Sequence, residues 1–328
     1  MNAAELAAAL RESRGFAHKS DIADVMSVLA KYQPAAPQAI ALGDDCAAIP
    51  FNDDEGDGYL LFAIEGLVED FIARMPWFAG YCSVMVNVSD IYAMGGRPLA
   101  VVDALWSQGS DPAAQLLEGM SAAANRYGVP IVGGHSNNRA LHGQLAVAIL
   151  GRARRLLTSF NARPGDQLVM AVDLRGAYEE PYPYWNASTS APASRLRADL
   201  ELLPQLAESG LCDAAKDISM AGVVGTALML LECSKVGARI DIDAVPRPDE
   251  ADLLRWLTAF PSYGFILSVR PEQVGAVVER FRARDLACAV IGEVAESPEL
   301  WLEHQGQTAL LWNTATEPFI TAREASHV

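Results

Sequence analysis

Apolar residues along this chain gather into two kinds of segment, longer ones of helical length and short ones of strand length. Residues 3–31 read as helix in two pieces broken around Ser13, Arg14 and Gly15. Ser20 and Asp21 are placed to cap the second piece, and Pro34 and Pro37 end it. Residues 42–51 read as strand around a Gly-Asp-Asp kink, 52–58 as an acidic turn and 59–64 as a strand. Helix is predicted over 77–94, stopped by Gly95 and Gly96, and over 112–127, opened by Asp111 and Pro112. Strands are predicted over 99–106, 129–132 and 144–150. The pattern breaks at 162–166 (Ala-Arg-Pro-Gly-Asp), a turn by composition. Beyond it come a strand at 167–172, a helix at 194–209 and an apolar helix at 220–234, whose Ala221, Gly222, Gly225 and Ala227 permit close packing. Strands at 239–242, 265–269 and 288–294 alternate with helices at 249–260 and 271–285, and short strands at 300–303 and 309–312 finish the pattern. Residues 178–193, with Tyr182, Tyr184 and Trp185 among prolines, read as an irregular surface excursion of the kind that serves as a lid. The mixture predicts an α+β protein of two domains, 1–160 and 161–328.

Composition narrows the partners. Of the 328 residues, 51% are hydrophobic, enough for a substantial core. Asp and Glu number 41 against 25 Lys and Arg, a net charge of −16, so a duplex nucleic acid is not an expected partner: it would need a basic surface. A nucleotide is still compatible, because a metal ion neutralises its few charges. The longest uncharged stretch, 75–89, has 15 residues and falls short of a bilayer span, so no membrane partner is expected. The opening Met-Asn-Ala-Ala-Glu-Leu has no basic region leading into an apolar block, and a cytoplasmic location is expected. Cys46, Cys82, Cys212, Cys233 and Cys288 are scattered and form no Cys-x-x-Cys pair; they read as small buried hydrophobes.

Several chemistries are absent from the sequence: no P-loop, no Gly-x-Gly-x-x-Gly after a strand, no Gly-x-Ser-x-Gly elbow and no His-Glu-x-x-His. Carboxylates beside glycines remain. Gly43, Asp44 and Asp45 lie at a bend, where adjacent acids suit either a hard cation such as Mg²⁺ or an Asp-rich turn. Asp90 sits in an otherwise apolar helix with no Lys or Arg within a helical turn, and Asn87 shares its face. It is either a metal-bound carboxylate, a helix-surface Asp or one bonded to Ser89. Asp217 is a helix N-cap or a further Mg²⁺ ligand. Gly133, Gly134, His135 and Ser136 follow a short strand, as a phosphate-cradling turn or a plain one.

Taken together and in order, these motifs resemble the AIR synthase superfamily. The carriers are Gly-Asp-Asp-Cys-Ala-Ala-Ile at 43–49, Ser-Asp-Ile-Tyr-Ala-Met-Gly-Gly-Arg-Pro at 89–98, Gly-Gly-His-Ser at 133–136 and Asp-Ile-Ser at 217–219. The Ser-Asp and Gly-Gly-His-Ser blocks are most similar to selenophosphate synthetase, and Gly-Asp-Asp with Leu-Val-Glu at 67–69 to thiamine-monophosphate kinase. The resemblance implies an N-terminal mixed sheet with helices that forms a β-barrel across a homodimer, and a C-terminal α/β sandwich domain. The apolar runs at 60–64, 99–106 and 144–150 also call for a second sheet to cover them. It further implies ATP with Mg²⁺ held by Asp45, with Asp44 beside it, and by Asp90, Asp217 and Glu65. Gly43, Asn87, Gly133, Gly134, His135 and Ser136 would contact nucleotide, and Lys19 is placed like the N-terminal phosphate-binding lysine. Lys19 and Asp45 would carry catalysis. The implied reaction is transfer of the γ-phosphoryl group to an oxygen or chalcogen nucleophile on a small molecule. Two departures, Ile64-Glu65 in place of Thr-Asp and His135 in place of the kinases' Asp, support the alternative of a nucleotide-binding partner protein without turnover.

Overall fold

The computed structural model describes residues 1–29, 31, 41–54 and 56–322. Pro34 and Pro37, expected to end the second helix, lie outside the described residues. The chain divides into two compact units, each discontinuous in sequence. One takes Asp45–Leu156 and Ser190–Glu208; the other takes Met1–Asp44, Leu157–Thr189 and Ser209–Val328. The grouping of the flanking segments follows from what they bury: Leu6, Leu10 and Phe16 share a core with Leu168, Val224 and Phe319. Arg97 holds Glu201 and Glu208 by ion pairs.

The smaller unit is built on five strands. β1 (Ala47–Asp53) and β2 (Gly56–Gly66) form an antiparallel hairpin, β3 (Arg97–Gln108) and β4 (Ile131–Asn137) run parallel, and β5 (Arg139–Ala153) lies between β2 and β3. Strict alternation along β2 and β5 gives the sheet two faces. Leu61, Leu145, Val147 and Ile149 are buried on the face covered by helices Pro76–Ala93 and Ser110–Tyr127. Those helices approach backbone to backbone: a Cβ on Gly80 would run into the Leu116 carbonyl oxygen, and one on Gly119 into that of Trp77. The opposite face is apolar and open. Phe62 pairs with Leu150, which pairs with Ala100; Ile64 pairs with Ala148, which pairs with Val102. Phe62 and Ile64 are 49% and 64% exposed.

The larger unit carries β6 (Gln167–Val172), β7 (Ala177–Tyr178), β8 (Tyr184–Asn186), β9 (Ala214–Asp217), β10 (Gly237–Asp241), β11 (Phe260–Pro261), β12 (Gly264–Val269), β13 (Ala287–Ala295), β14 (Glu299–His304) and β15 (Gln307–Asn313). Seven of them form a mixed sheet in the order β15-β14-β10-β13-β6-β12-β9, and β11-β8-β7 form a small second sheet. That second sheet replaces the irregular excursion expected at 178–193: Trp185 is buried, and its indole N–H donates to the Asp173 carbonyl at 3.0 Å. The segment is part of the packed fold because its aromatic side chains are. The helix expected over 249–260 shrinks to Leu253–Leu257, since Phe260 and Pro261 join a sheet. At the N-terminus Asn2 caps helix Ala3–Arg11 with a reciprocal Glu5 bond. Ser20 does not cap; it lies inside helix Arg14–Leu29, and its hydroxyl donates to the Ala17 carbonyl. None of the five cysteines forms a disulfide, and burial pushes the thiols of Cys212 and Cys288 up to about 12, so both stay protonated at neutral pH.

Candidate functional site

Helix Pro76–Ala93 begins with proline at its first turn and is buried along most of its length. Asn87 and Asp90, one turn apart, are therefore polar groups inside a packed layer, at 0% and 6% exposure. Asn87 donates its amide N–H to the Ser83 carbonyl at 2.8 Å, while its Oδ1 is buried without a hydrogen-bond partner among the described residues. Asp90 and Asp45 bring carboxylate oxygens within 4.8 Å of each other. Two carboxylates that close repel unless a proton or cation lies between them. Oxygen donors alone, two of them anionic, form a hard set of the kind Mg²⁺ takes. The buried Asn87 acceptor on the same helix face is one more oxygen of that type.

The adjacent acids of the glycine turn have different surroundings. Asp44 accepts hydrogen bonds from Thr158 Oγ1 at 2.6 Å, Ser159 N at 3.0 Å and Ser159 Oγ at 2.7 Å. Both its oxygens hold the turn, and it lies outside the carboxylate group that Asp45 joins. Gly43 has φ +116°, in the region glycine favours, with Cys233 Sγ 3.1 Å from where a Cβ would stand.

In the larger unit Asp217 ends β9, paired to Phe265 at the sheet edge, and is 3% exposed. It is not an N-cap: helix Gly222–Cys233 starts five residues on, with Ala221 in the cap position. Lys19 is half-buried on helix Arg14–Leu29.

Gly133, Gly134, His135 and Ser136 do not form a turn. They lie within β4, an edge strand paired to β3, and are exposed. The glycine at 134 has a steric cause, since a Cβ there would run into Asp103 Oδ1. Asp103 was missed by the motif reading. Register aligns Glu65, Val147, Asp103 and Gly134 in one cross-strand row. Burial pushes the Asp103 carboxyl above the usual range. The signal was in the sequence: Val101, Asp103 and Leu105 alternate on one face of a predicted strand. Glu65 itself stands at the exposed end of β2, and His135 places its ring 6.1 Å from Trp106.

A five-stranded mixed sheet with two helices on one face, joined to a seven-stranded sheet and carrying acids at a glycine turn and a Ser-Asp helix, defines an AIR synthase-like subunit. The chain belongs to the AIR synthase related family: residues 43–153 match its N-terminal domain and residues 177–304 its C-terminal domain. It is 49% identical over 310 residues to the uncharacterized protein sll0787 of Synechocystis sp., covering 94% of this chain and 95% of that one. Among solved structures, T. maritima PurL complexed with ATP superposes with a TM-score of 0.71 at 21% identity, over 84% of this chain and 46% of PurL. AaThiL complexed with AMPPCP and TMP gives 0.64 at 20% identity, over 87% and 92%. At these identities the likeness is one of fold, and the chain spans about half the length of the PurL it matches. Among the described residues no helix is long and apolar enough to cross a membrane.

Proposed function

We propose that this protein binds ATP with Mg²⁺ and transfers the γ-phosphoryl group to an oxygen or chalcogen nucleophile on a small molecule. The observation that carries the reading is the approach of Asp45 and Asp90 to within 4.8 Å, Asp90 being buried in an apolar helix beside the unsatisfied Asn87 Oδ1. Asp45 and Asp90 would hold the metal, with Asp217 and Glu65 as further ligands on the strength of the motif order. Asp44 serves instead to shape the turn. Mg²⁺ would supply charge neutralisation for the phosphates, and phosphoryl transfer needs little from a protein beyond that and positioning. Lys19 would add a point charge on the phosphates. Gly43, Gly133, Gly134, His135 and Ser136 are assigned to nucleotide, the last four along the open edge of β4. The complexes of T. maritima PurL with ATP and of AaThiL with AMPPCP support a nucleotide for this fold. The open apolar face of the β1–β5 sheet supports a homodimer through that sheet, closing a barrel.

Calorimetry with ATP in Mg²⁺ and in EDTA tests the reading. Binding should need the metal, because an acidic site by itself repels triphosphate. Equal affinity in both buffers rejects the metal-held nucleotide. ADP release that depends on an added acceptor separates turnover from a non-catalytic nucleotide-binding partner protein.

A further inference from the structure

Helix Arg14–Leu29 carries Lys19, and its first turn is fixed by three contacts within the larger unit. A Cβ on Gly15 would run into the Met220 carbonyl oxygen, so the helix backbone lies directly on the turn that follows Asp217. His18 Nδ1 stands 3.3 Å from Met220 Sδ on that same turn. Phe16 is 1% exposed, with its ring 5.2 Å from Phe319 and 6.2 Å from Trp312. The first two contacts are with the turn itself. The third depends on a segment some 300 residues away in sequence.

One buried carboxylate holds that segment. Glu232, near the end of helix Gly222–Cys233, accepts from Phe319 N at 2.7 Å, Ile320 N at 2.7 Å and Thr321 Oγ1 at 2.9 Å. Glu232, Phe319 and Ile320 are all buried. A carboxylate is tolerated in such a place only where donors satisfy it, so Glu232, the Phe319 and Ile320 backbone amides and the Thr321 hydroxyl stabilise each other as a unit. Arg11 makes a second tie between the chain ends. Its guanidinium lies 4.0 Å over the Trp312 ring and donates to the Leu311 carbonyl at 2.9 Å and to Glu317 at 2.8 Å.

We propose that residues 317–321 form a strap, locked by Glu232, that holds the Lys19 helix on the turn after Asp217, and that Phe319 and Glu232 are positioning residues for nucleotide binding. The proposal rests on the reading of Lys19 as a phosphate contact. Lys19 helps nucleotide only while its helix is docked, so affinity falls in proportion to the docked fraction.

The test uses the full chain with Phe319→Ala, Glu232→Gln and the space-filling Phe319→Leu. Backbone amide exchange of residues 14–29 is followed alongside Mg-ATP affinity, with Lys19→Gln as a second background. Phe319→Ala should speed exchange across 14–29 and weaken Mg-ATP about tenfold, as expected if the docked fraction drops to about a tenth. Phe319→Leu should restore most of both. In the Lys19→Gln background, Phe319→Ala should cost no further affinity, because the two substitutions remove the same interaction. Unchanged exchange at 14–29 in both Phe319→Ala and Glu232→Gln overturns the strap. Faster exchange with losses that add to those of Lys19→Gln overturns the coupling to Lys19. If Phe319→Ala fails to fold, Glu232→Gln, which keeps the side-chain shape, decides the same points. A wild-type chain that binds no Mg-ATP sinks the nucleotide reading, whereas the exchange measurement decides the strap independently of any ligand.

Discussion

Asp90 is the residue whose replacement says most about the site. Asp90→Asn keeps volume and packing but removes one of two charges within 4.8 Å of each other. Their repulsion is worth roughly 1 kcal/mol in a water-like dielectric and about 3 kcal/mol at an effective constant of 20. The metal-free variant should therefore melt at the same temperature as wild type or higher, while the upward shift caused by Mg-ATP shrinks sharply, because a neutral amide is the weaker ligand for a hard cation. An undiminished shift in a thermal melt would take Asp90 out of the site. Gly134→Ala tests the other finding at this scale. Its Cβ would collide with Asp103, so the substitution should cost roughly 1–3 kcal/mol in denaturant unfolding. Part of the cost should be relieved in an Asp103→Gly background, which removes the side-chain clash but leaves the Asp103 carbonyl oxygen 2.9 Å from the new Cβ; fully additive losses would point to strand flexibility alone. The acids themselves were legible in the sequence, as a glycine turn and as a charge inside an apolar helix. The different surroundings of Asp44 and Asp45 were not, because Asp44 is held by Thr158 and Ser159, more than 100 residues away.

Elements with their own periodicity and end signals were the legible ones. The helix expected at 77–94 is Pro76–Ala93, and that expected at 112–127 is Ser110–Tyr127. The misses share a cause: β4, β9 and the β7–β8 pair have their backbone partners elsewhere in the chain, and their residues look like turn or cap residues until those partners are known. The attachment of helices Ala193–Leu200 and Leu202–Glu208 to the smaller unit is another tertiary fact, made by Arg97. Its guanidinium reaches Glu201 and Glu208, each at 2.5 Å. The Arg97 hydrogen bond holds the Glu208 carboxyl below its usual 4.5. The stabilisation is thus complete above pH 4.5 and is lost as pH falls through the lower, folded value. Both side chains are about a third exposed, so the pair is worth only about 1 kcal/mol after solvent screening. Wild type and Arg97→Met should differ in melting temperature at pH 7, and the difference should narrow in acid below pH 4.5 and in molar salt. A gap that stays constant through that range would assign Arg97 a packing role alone.

At the scale of the whole molecule the open face of the β1–β5 sheet sets the expectation. Phe62, Leu150 and Ala100 form one cross-strand row and Ile64, Ala148 and Val102 the next, all on the face that no helix of the described residues covers. Large contiguous apolar surface on a soluble chain marks an interaction site. The occupant proposed for it is a second copy, which would complete such a face by symmetry, since each sheet then offers the other the same rows. Light scattering at micromolar concentration should give twice the 35.2 kDa of one chain. Phe62→Lys places a charge in the middle of the face, on the side of β2 opposite buried Leu61 and Ala63. In the free subunit that position is half exposed, so the lysine is solvated and the circular dichroism spectrum should not change. In the dimer the ammonium would be buried against apolar rows without a partner, and truncating or charging a central aromatic anchor costs about 2–4 kcal/mol. The dimer dissociation constant should rise about 30- to 1,000-fold, enough to show monomer at micromolar concentration. A Phe62→Lys protein that stays dimeric would place the interface elsewhere, and a wild-type monomer would leave the face without its proposed cover.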